Sequence, residues 1–311
     1  MLGKILPSIV SIEIKFNITS FFGGSGTASA SGSGIIISND GYILTNNHVV
    51  DTSSSSSSFY QISEASEINV YLYNDDTPYK ATIVGQDELT DIAVIKIDKT
   101  DLTPAEIGNS DSLQIGEFAM TVGNPLGLQN SVACGTISAV NREITDSDGR
   151  KRNLIQTDAA INSGISGGAL VNSQGQVVGI TTLKVVSTSV EGMGFAIPIN
   201  SVTDIYNQLV QYSKVKRPYI GISGISIDEK ISEKYNLPIG VYLKTVEDFS
   251  PAEKAGLKIG DVVTKLDGKD VKSTDDITTI KNSHSIGDVI SLTYVRDEKE
   301  ATVQISLTEQ P

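Results

Sequence analysis

The 311-residue chain is 39% hydrophobic and 20% charged, has 28 glycines and no tryptophan, and carries a formal net charge of −13. That acidity denies it the basic footprint needed to hold a nucleic acid, so no nucleic-acid partner is expected. Two histidines are too few for a structural zinc site, the lone Cys134 excludes an internal disulfide, and the length exceeds what one core usually organises. Two domains are therefore expected, with no metal and no cofactor.

In the first sixteen residues, Lys4, Pro7, Glu13 and Lys15 break the apolar stretches, which leaves neither a membrane span nor a signal-peptide core. From Ile9 to about Pro198 the pattern is β throughout. Gly23 to Gly34 is rich in glycine and serine but lacks the Gly-Lys-Ser/Thr ending of a phosphate loop, so it reads as a mobile surface loop, as does the serine run Ser53 to Ser58. Ile35 to Ser38 and Tyr42 to Thr45 flank Asn39-Asp40-Gly41, a tight turn in which Gly supplies the positive φ. Further strands are expected at Ile68–Tyr73, Lys80–Gly85, Ile92–Ile97, Phe118–Val122, Ser131–Val140, Leu154–Thr157, Ala169–Asn172, Val177–Leu183 and Gly194–Ile197. About a dozen short strands without a long helix between them imply antiparallel barrels or a sandwich.

A helix capped by Asn200 or Ser201, with Val202, Ile205, Tyr206, Leu209 and Val210 on one face, closes the first domain, residues 1–213. Residues 214–218 form a short basic linker, and 219–311 a second domain of strands and two short helices. One of these helices is capped by Ser250, with Pro251 at its first position and Gly256 at its end, and the other starts near Ser273 and carries Ile277 and Ile280.

Chemistry concentrates at Asn162-Ser163-Gly164-Ile165-Ser166-Gly167-Gly168. A serine hydroxyl becomes a nucleophile only when a base takes its proton and N–H groups stabilise the oxyanion, and small neighbours permit the turn that both require. The chain offers two bases, His48 at a strand end and His284. Asp91 precedes the apolar strand Ile92–Ile95, where its carboxylate can be drawn inward to orient an imidazole. His48, Asp91 and Ser166 follow the chain order of the chymotrypsin triad. Gly164 to Gly168 also fits the G-x-S-x-G elbow of α/β-hydrolases, which would need a helix after Ser166 and His284 as base. The following residues read instead as two strands around Asn172-Ser173-Gln174-Gly175.

Gly32-Ser33-Gly34-Ile35, Thr45 to Val50, Leu89 to Val94, Gly123 to Gly127, Gln156 to Asn162 and Gly194 to Pro198 together resemble the trypsin-like protease domain of the HtrA (Deg) family. The resemblance implies an all-β, chymotrypsin-like domain of two perpendicular six-stranded antiparallel barrels, with His48, Asp91 and Ser166 in the cleft between them. It implies an oxyanion hole at Gly164, Ile165 and Ser166, with the N–H groups of Gly164 and Ser166 as donors. It also places the primary pocket around Ala160, Ile161, Phe195 and Ala196. Alanine at the pocket floor cannot select a basic side chain, so cleavage after small or medium aliphatic residues is expected. Ser163, Ile165 and Ala169 depart from the family's usual proline, asparagine and proline, which bears on whether the resting loop is competent.

Tyr219-Ile220-Gly221-Ile222 resembles the carboxylate-binding loop of a PDZ domain, a smaller α+β module, with Ile277 and Ile280 on the far wall of its groove. Expected partners are unfolded proteins or peptides as substrates, C-terminal peptides at the PDZ domain, and two further copies in a homotrimer. The family implies an extracytoplasmic enzyme whose leader or anchor is absent from this chain, the alternative being a cytoplasmic one. A catalytically silent protein-binding scaffold is the rival class. Cys134 is expected to be a small buried residue beside Gly135, and His284 to lie on a PDZ loop without a catalytic task.

Overall fold

Apolar side chains at every second position bury one face of a strand and leave the other at the surface. Val10, Ile12, Ile14 and Phe16 follow that rule and start a barrel. The computed structural model describes residues 1–20, 25–51, 60–63, 66–124, 131–145, 151–183 and 192–311. It divides into two units, Met1–Val215 and Lys216–Pro311.

In the first unit, a helical turn α1 (Leu2–Ile5) leads into β1 (Ile9–Ser20), β2 (Ser25–Ile36) and β3 (Tyr42–Asn46). A second turn, α2 (Asn47–Val50), precedes β4 (Tyr60–Ile62), β5 (Glu67–Leu72), β6 (Asp75–Asp87) and β7 (Ile92–Ile97). The sheet order β2-β3-β7-β6-β5-β1 closes on itself because β1 also pairs with β2, and β4 extends the far end of β1. The expected surface loop at Gly23 to Gly34 is therefore wrong from Ser25 onward. That stretch is a strand laddered to β1 from Ile9↔Ile35 to Thr19↔Ser25. Its small residues serve close approach: a Cβ on Gly32 would lie 2.5 Å from Val49 Cγ1, and one on Gly34 2.6 Å from Ile43 Cγ2. Gly23, Gly24 and the serine run 53–58 lie outside the described residues.

The second barrel is built from β8 (Phe118–Gly123), β9 (Ser131–Thr145), β10 (Lys151–Thr157), β11 (Ala169–Val171), β12 (Val177–Thr182) and β13 (Gly194–Pro198). It closes in the order β10-β13-β12-β11-β8-β9. Strand alternation sorts the side chains into three apolar clusters. Ala93, Ile95 and Ile97 of β7 join Val10, Ile12, Ile43 and Val70 inside the first barrel, and Ala119, Ile137, Ile155 and Leu170 pack inside the second. Ile92 and Val94, on the other face of β7, meet Met120, Val122, Leu154 and Phe195 in a seam that joins the barrels. Each such side chain, fully buried, contributes about 1.5–3 kcal/mol. The helix α3 (Ile199–Tyr212) sends Val202 and Leu209 into the same seam. It begins earlier than the expected cap: Pro198 is the N-cap, and Asn200 instead hydrogen-bonds Asn109 and Ser110. Cys134 is exposed, contrary to expectation, because Ala133, Gly135 and Ile137 take the inward positions of β9.

The second unit starts with β14 (Pro218–Tyr219) and β15 (Ile222–Ile227), then α4 (Glu229–Tyr235), β16 (Gly240–Val246) and α5 (Pro251–Lys254). It continues through β17 (Val262–Leu266), β18 (Lys269–Asp270), α6 (Thr274–Asn282), β19 (Val289–Arg296), β20 (Lys299–Ser306) and β21 (Thr308–Glu309). The sheet runs β15-β16-β17-β19-β20, so β15 is an edge strand, and β14 pairs with β21. Both expected caps form. Ser250 Oγ accepts the Glu253 N–H, and Ser273 and Asp276 make a reciprocal capping box on α6. One helix more than expected is present: α4 buries none of its residues and so carries no apolar periodicity to betray it.

Candidate active site

Asp91 adopts positive φ (60°), which folds the chain back so that its carbonyl and its carboxylate face the same segment. The carbonyl oxygen accepts from Asn46 Nδ2 and from the Asn47 N–H, both at 3.0 Å. Asp91 Oδ1 accepts the His48 N–H at 3.0 Å, and Oδ2 lies 2.8 Å from His48 Nδ1. Thr182 Oγ1 adds a long contact to Oδ2 at 3.4 Å. His48 thus sits in α2, immediately after β3, with its ring orientation set by a carboxylate on another strand. The Asp91 side chain is only 2% exposed while the imidazole is 26% exposed, so the carboxylate is sealed and the ring can be reached. With Nδ1–H donated to the carboxylate, the neutral ring presents Nε2 as an acceptor.

Ser166 lies between β10 and β11 in a turn fixed on both sides. Its carbonyl accepts the Ser33 N–H at 2.8 Å, and Ser33 Oγ donates to the Gly164 carbonyl at 2.7 Å while accepting the Asn124 N–H at 2.9 Å. Gly167 has φ of 83°, and a Cβ there would lie 2.2 Å from the Ser33 carbonyl oxygen, so no other residue fits. Thr181 Oγ1 donates to the Ile165 carbonyl at 2.6 Å. The Ser166 hydroxyl oxygen accepts the Leu183 N–H at 3.1 Å, and among the described residues no hydrogen bond joins it to the imidazole.

Of the three residues expected at the oxyanion hole, Ile165 is a correction. Its N–H closes a turn onto the Asn162 carbonyl at 3.1 Å, and its side chain is buried against Gly123. The N–H groups of Gly164 and Ser166 donate no hydrogen bond among the described residues. The pocket residues also divide. Ala160 is exposed, its carbonyl held by Thr121 Oγ1 at 2.8 Å, and Ile161 packs over Gly194. Phe195 and Ala196 fall on opposite faces of β13, Phe195 in the seam between the barrels and Ala196 inside the second barrel, so they cannot both line one pocket. Ser33 and Thr182, which tie the serine loop and Asp91 to the other barrel, carried no individual signal in the sequence beyond small or hydroxylated side chains near glycine or in a strand.

After Ser166 come the strands β11 and β12, not the helix that a hydrolase elbow requires. The elbow's base, His284, lies in the second unit, with Nε2 3.4 Å from Asp267 Oδ2 and Nδ1 3.7 Å from Asp288 Oδ2.

The loop at 219–222 leads into the edge strand β15. Ile220, Ile277 and Ile280 are buried in the core of the second unit. The Ile220 carbonyl accepts the Ala252 N–H and the Gly221 carbonyl accepts the Glu247 N–H, both at 2.9 Å. Among the described residues, the Ile220 and Gly221 N–H groups donate none. Burial, with Glu247 as hydrogen-bond partner, pushes the Tyr219 phenol up to about 12.

Residues 32–180 match the trypsin-like peptidase domain and residues 218–307 the PDZ domain. Serine protease Do-like HtrB of Bacillus subtilis (strain 168) is 41% identical over 336 residues, covering 100% of this chain and 70% of that protein. Periplasmic serine endoprotease DegP of Escherichia coli (strain K12) is 35% identical over 353 residues, covering 99% of this chain and 72% of that protein. Among solved structures, the HtrA-type protease AlgW with decapeptide superposes with a TM-score of 0.80 at 28% identity, covering 100% of this chain and 98% of the other.

Proposed function

Because the chain belongs to the HtrA family of trypsin-like serine endopeptidases and carries a PDZ domain, we propose that it hydrolyses unfolded polypeptides through an acyl-enzyme on Ser166, with His48 as base and Asp91 as its orienting partner. The observation that carries this reading is the His48–Asp91 pair, 2.8 Å from ring nitrogen to carboxylate oxygen and buried on the carboxylate side. Substrate draws Ser166 Oγ from the Leu183 N–H toward Nε2. The imidazole takes its proton as Oγ attacks the peptide carbonyl, then returns that proton to the leaving amine. The N–H groups of Gly164 and Ser166 receive the oxyanion, each worth about a hundredfold or more in rate. Water then repeats the sequence on the ester and frees the serine.

Ala160 offers a methyl group to the primary pocket, and nearby Asp158 is committed to the Thr136 N–H and hydroxyl. Cleavage therefore follows small and medium aliphatic residues, and a casein digest ending mainly in Lys or Arg would refute it. At the second unit, the unpaired edge of β15 takes up a peptide C-terminus beside Ile220, Ile277 and Ile280, and its occupancy tunes proteolysis. Turnover unchanged by C-terminal peptides would refute the tuning. The working enzyme is an extracytoplasmic homotrimer. Light scattering of the protein and fractionation of its host check both points.

A fluorophosphonate probe tests the central claim against a silent scaffold. Labelling that is lost in Ser166→Ala and strengthened by an unfolded substrate supports catalysis, and no labelling under either condition overturns it.

A further inference from the structure

Lys281 lies on α6 four residues after Ile277, on the same helix face. Its ammonium reaches back to the strand before the 219–222 loop, where Nζ donates to the Pro218 carbonyl and to Asn282 Oδ1, both at 2.6 Å. An ammonium has three donors, so one remains. In a chain with 37 acidic and 24 basic residues, such a group would ordinarily find a carboxylate. Among the described residues no carboxylate pairs with Lys281 Nζ. Burial, and then the nearby Arg217 cation, hold its pKa below the usual lysine range. Drawing an ammonium partly out of water beside a like charge costs free energy that neutral carbonyls return only in part. That cost is recovered when an anion arrives.

The same corner has unspent main-chain donors. The peptide plane between Ile220 and Gly221 is fixed by the Ala252 N–H on the Ile220 carbonyl, which aims the Gly221 N–H the opposite way. Glu247 fixes the next plane in the same manner through the Gly221 carbonyl. Among the described residues, no acceptor meets the Ile220 or Gly221 N–H, and the two planes keep these amides oriented.

We infer that Lys281 is the counter-charge for the terminal carboxylate of a bound peptide, so that this groove selects free C-termini by a full charge as well as by main-chain amides. This rests on the reading of the β15–α6 groove as a peptide site. Lys281 is then a specificity-determining residue of that groove.

The test uses the full chain with Ser166→Ala to prevent cleavage. The probes are fluorescent decapeptides of Gly, Ser and Ala ending in Val, Leu or Phe, each as free acid and as C-terminal amide. Anisotropy is expected to show that the parent prefers the free acid. Lys281→Gln, which keeps an N–H donor but no charge, should weaken free-acid binding about tenfold, leave amide binding unchanged and melt no lower than the parent. Lys281→Arg should keep the preference. An unchanged acid-to-amide ratio in Lys281→Gln, or equal weakening of both forms, overturns the assignment while the parent's own preference still supports the groove. A parent that binds neither form, or does not distinguish them, overturns the groove reading and the Lys281 assignment with it.

Discussion

Ser33→Ala removes a single oxygen that is 0% exposed and serves two partners. It strands the Gly164 carbonyl, now bonded at 2.7 Å, and the Asn124 N–H, now bonded at 2.9 Å. Each stranded buried group costs about 1–3 kcal/mol, so the loss is about 2–5 kcal/mol after partial relaxation. For a unit of this size that corresponds to a fall in Tm of about 5–15 °C. The effect on rate is separate: the Gly164 carbonyl is what Ser33 Oγ holds, and a drift of the turn misplaces the Gly164 and Ser166 amides. A loss of about 10–100-fold in kcat is expected. Thermal melts and turnover of fluorescein-casein measure the two effects on one preparation. A Tm within 1 °C of the parent, about the scatter of such melts, would refute the stability estimate. A lowered Tm with unchanged kcat would show that the bond holds the fold without positioning the amides.

Asp91→Asn should lower kcat by about 10⁴ with the fold retained in circular dichroism, because the amide cannot hold the imidazole with Nε2 free to accept. Gly167→Ala places a Cβ 2.2 Å from the Ser33 carbonyl at φ of 83°. It should cost about 3 kcal/mol or more, read as a lowered Tm against the parent at matched concentration. In the second unit, burial works against the Asp276 charge, but the N–H groups of Lys272 and Ser273 with the Ser273 hydroxyl hold its carboxyl below the ordinary 3.8. A carboxyl lowered in the folded state stabilises at pH above its unfolded value and loses that contribution as pH falls through the folded one. The denaturation gap between parent and Asp276→Asn should therefore be full above about pH 5 and shrink steadily below about pH 4.

Where chemistry demanded a particular residue at a particular spacing, the sequence was readable. An aspartate ahead of a buried strand and a histidine just after a hairpin are hydrogen-bonded to each other as their types suggested, and the glycines beside Ser166 make its turn, while the serine hydroxyl itself meets the Leu183 N–H. Ser250 and Ser273 were legible as caps because local hydrogen bonds define them. β2 was misread because its glycines and serines resemble a loop, and only the facing Val49 and Ile43 show why nothing larger fits. Ile165 was misassigned because an amide's direction follows from its own turn, which no single residue type announces. Phe195 and Ala196 are adjacent in sequence, and strand alternation separated them. Lys281 was invisible for a different reason: a lysine at a helix end is ordinary until its ammonium proves to meet a main-chain carbonyl and an amide oxygen.

The reversal of the chain at Asp91 has a mechanical consequence. One residue clasps Asn46, Asn47 and His48 through both its main chain and its side chain, so the base cannot swing without breaking several buried contacts together. The hydroxyl at position 166, by contrast, leaves its present partner by turning about one bond. A rearrangement that joins hydroxyl to base therefore moves the nucleophile and the amides beside it, while the imidazole remains a fixed anvil against which they are brought.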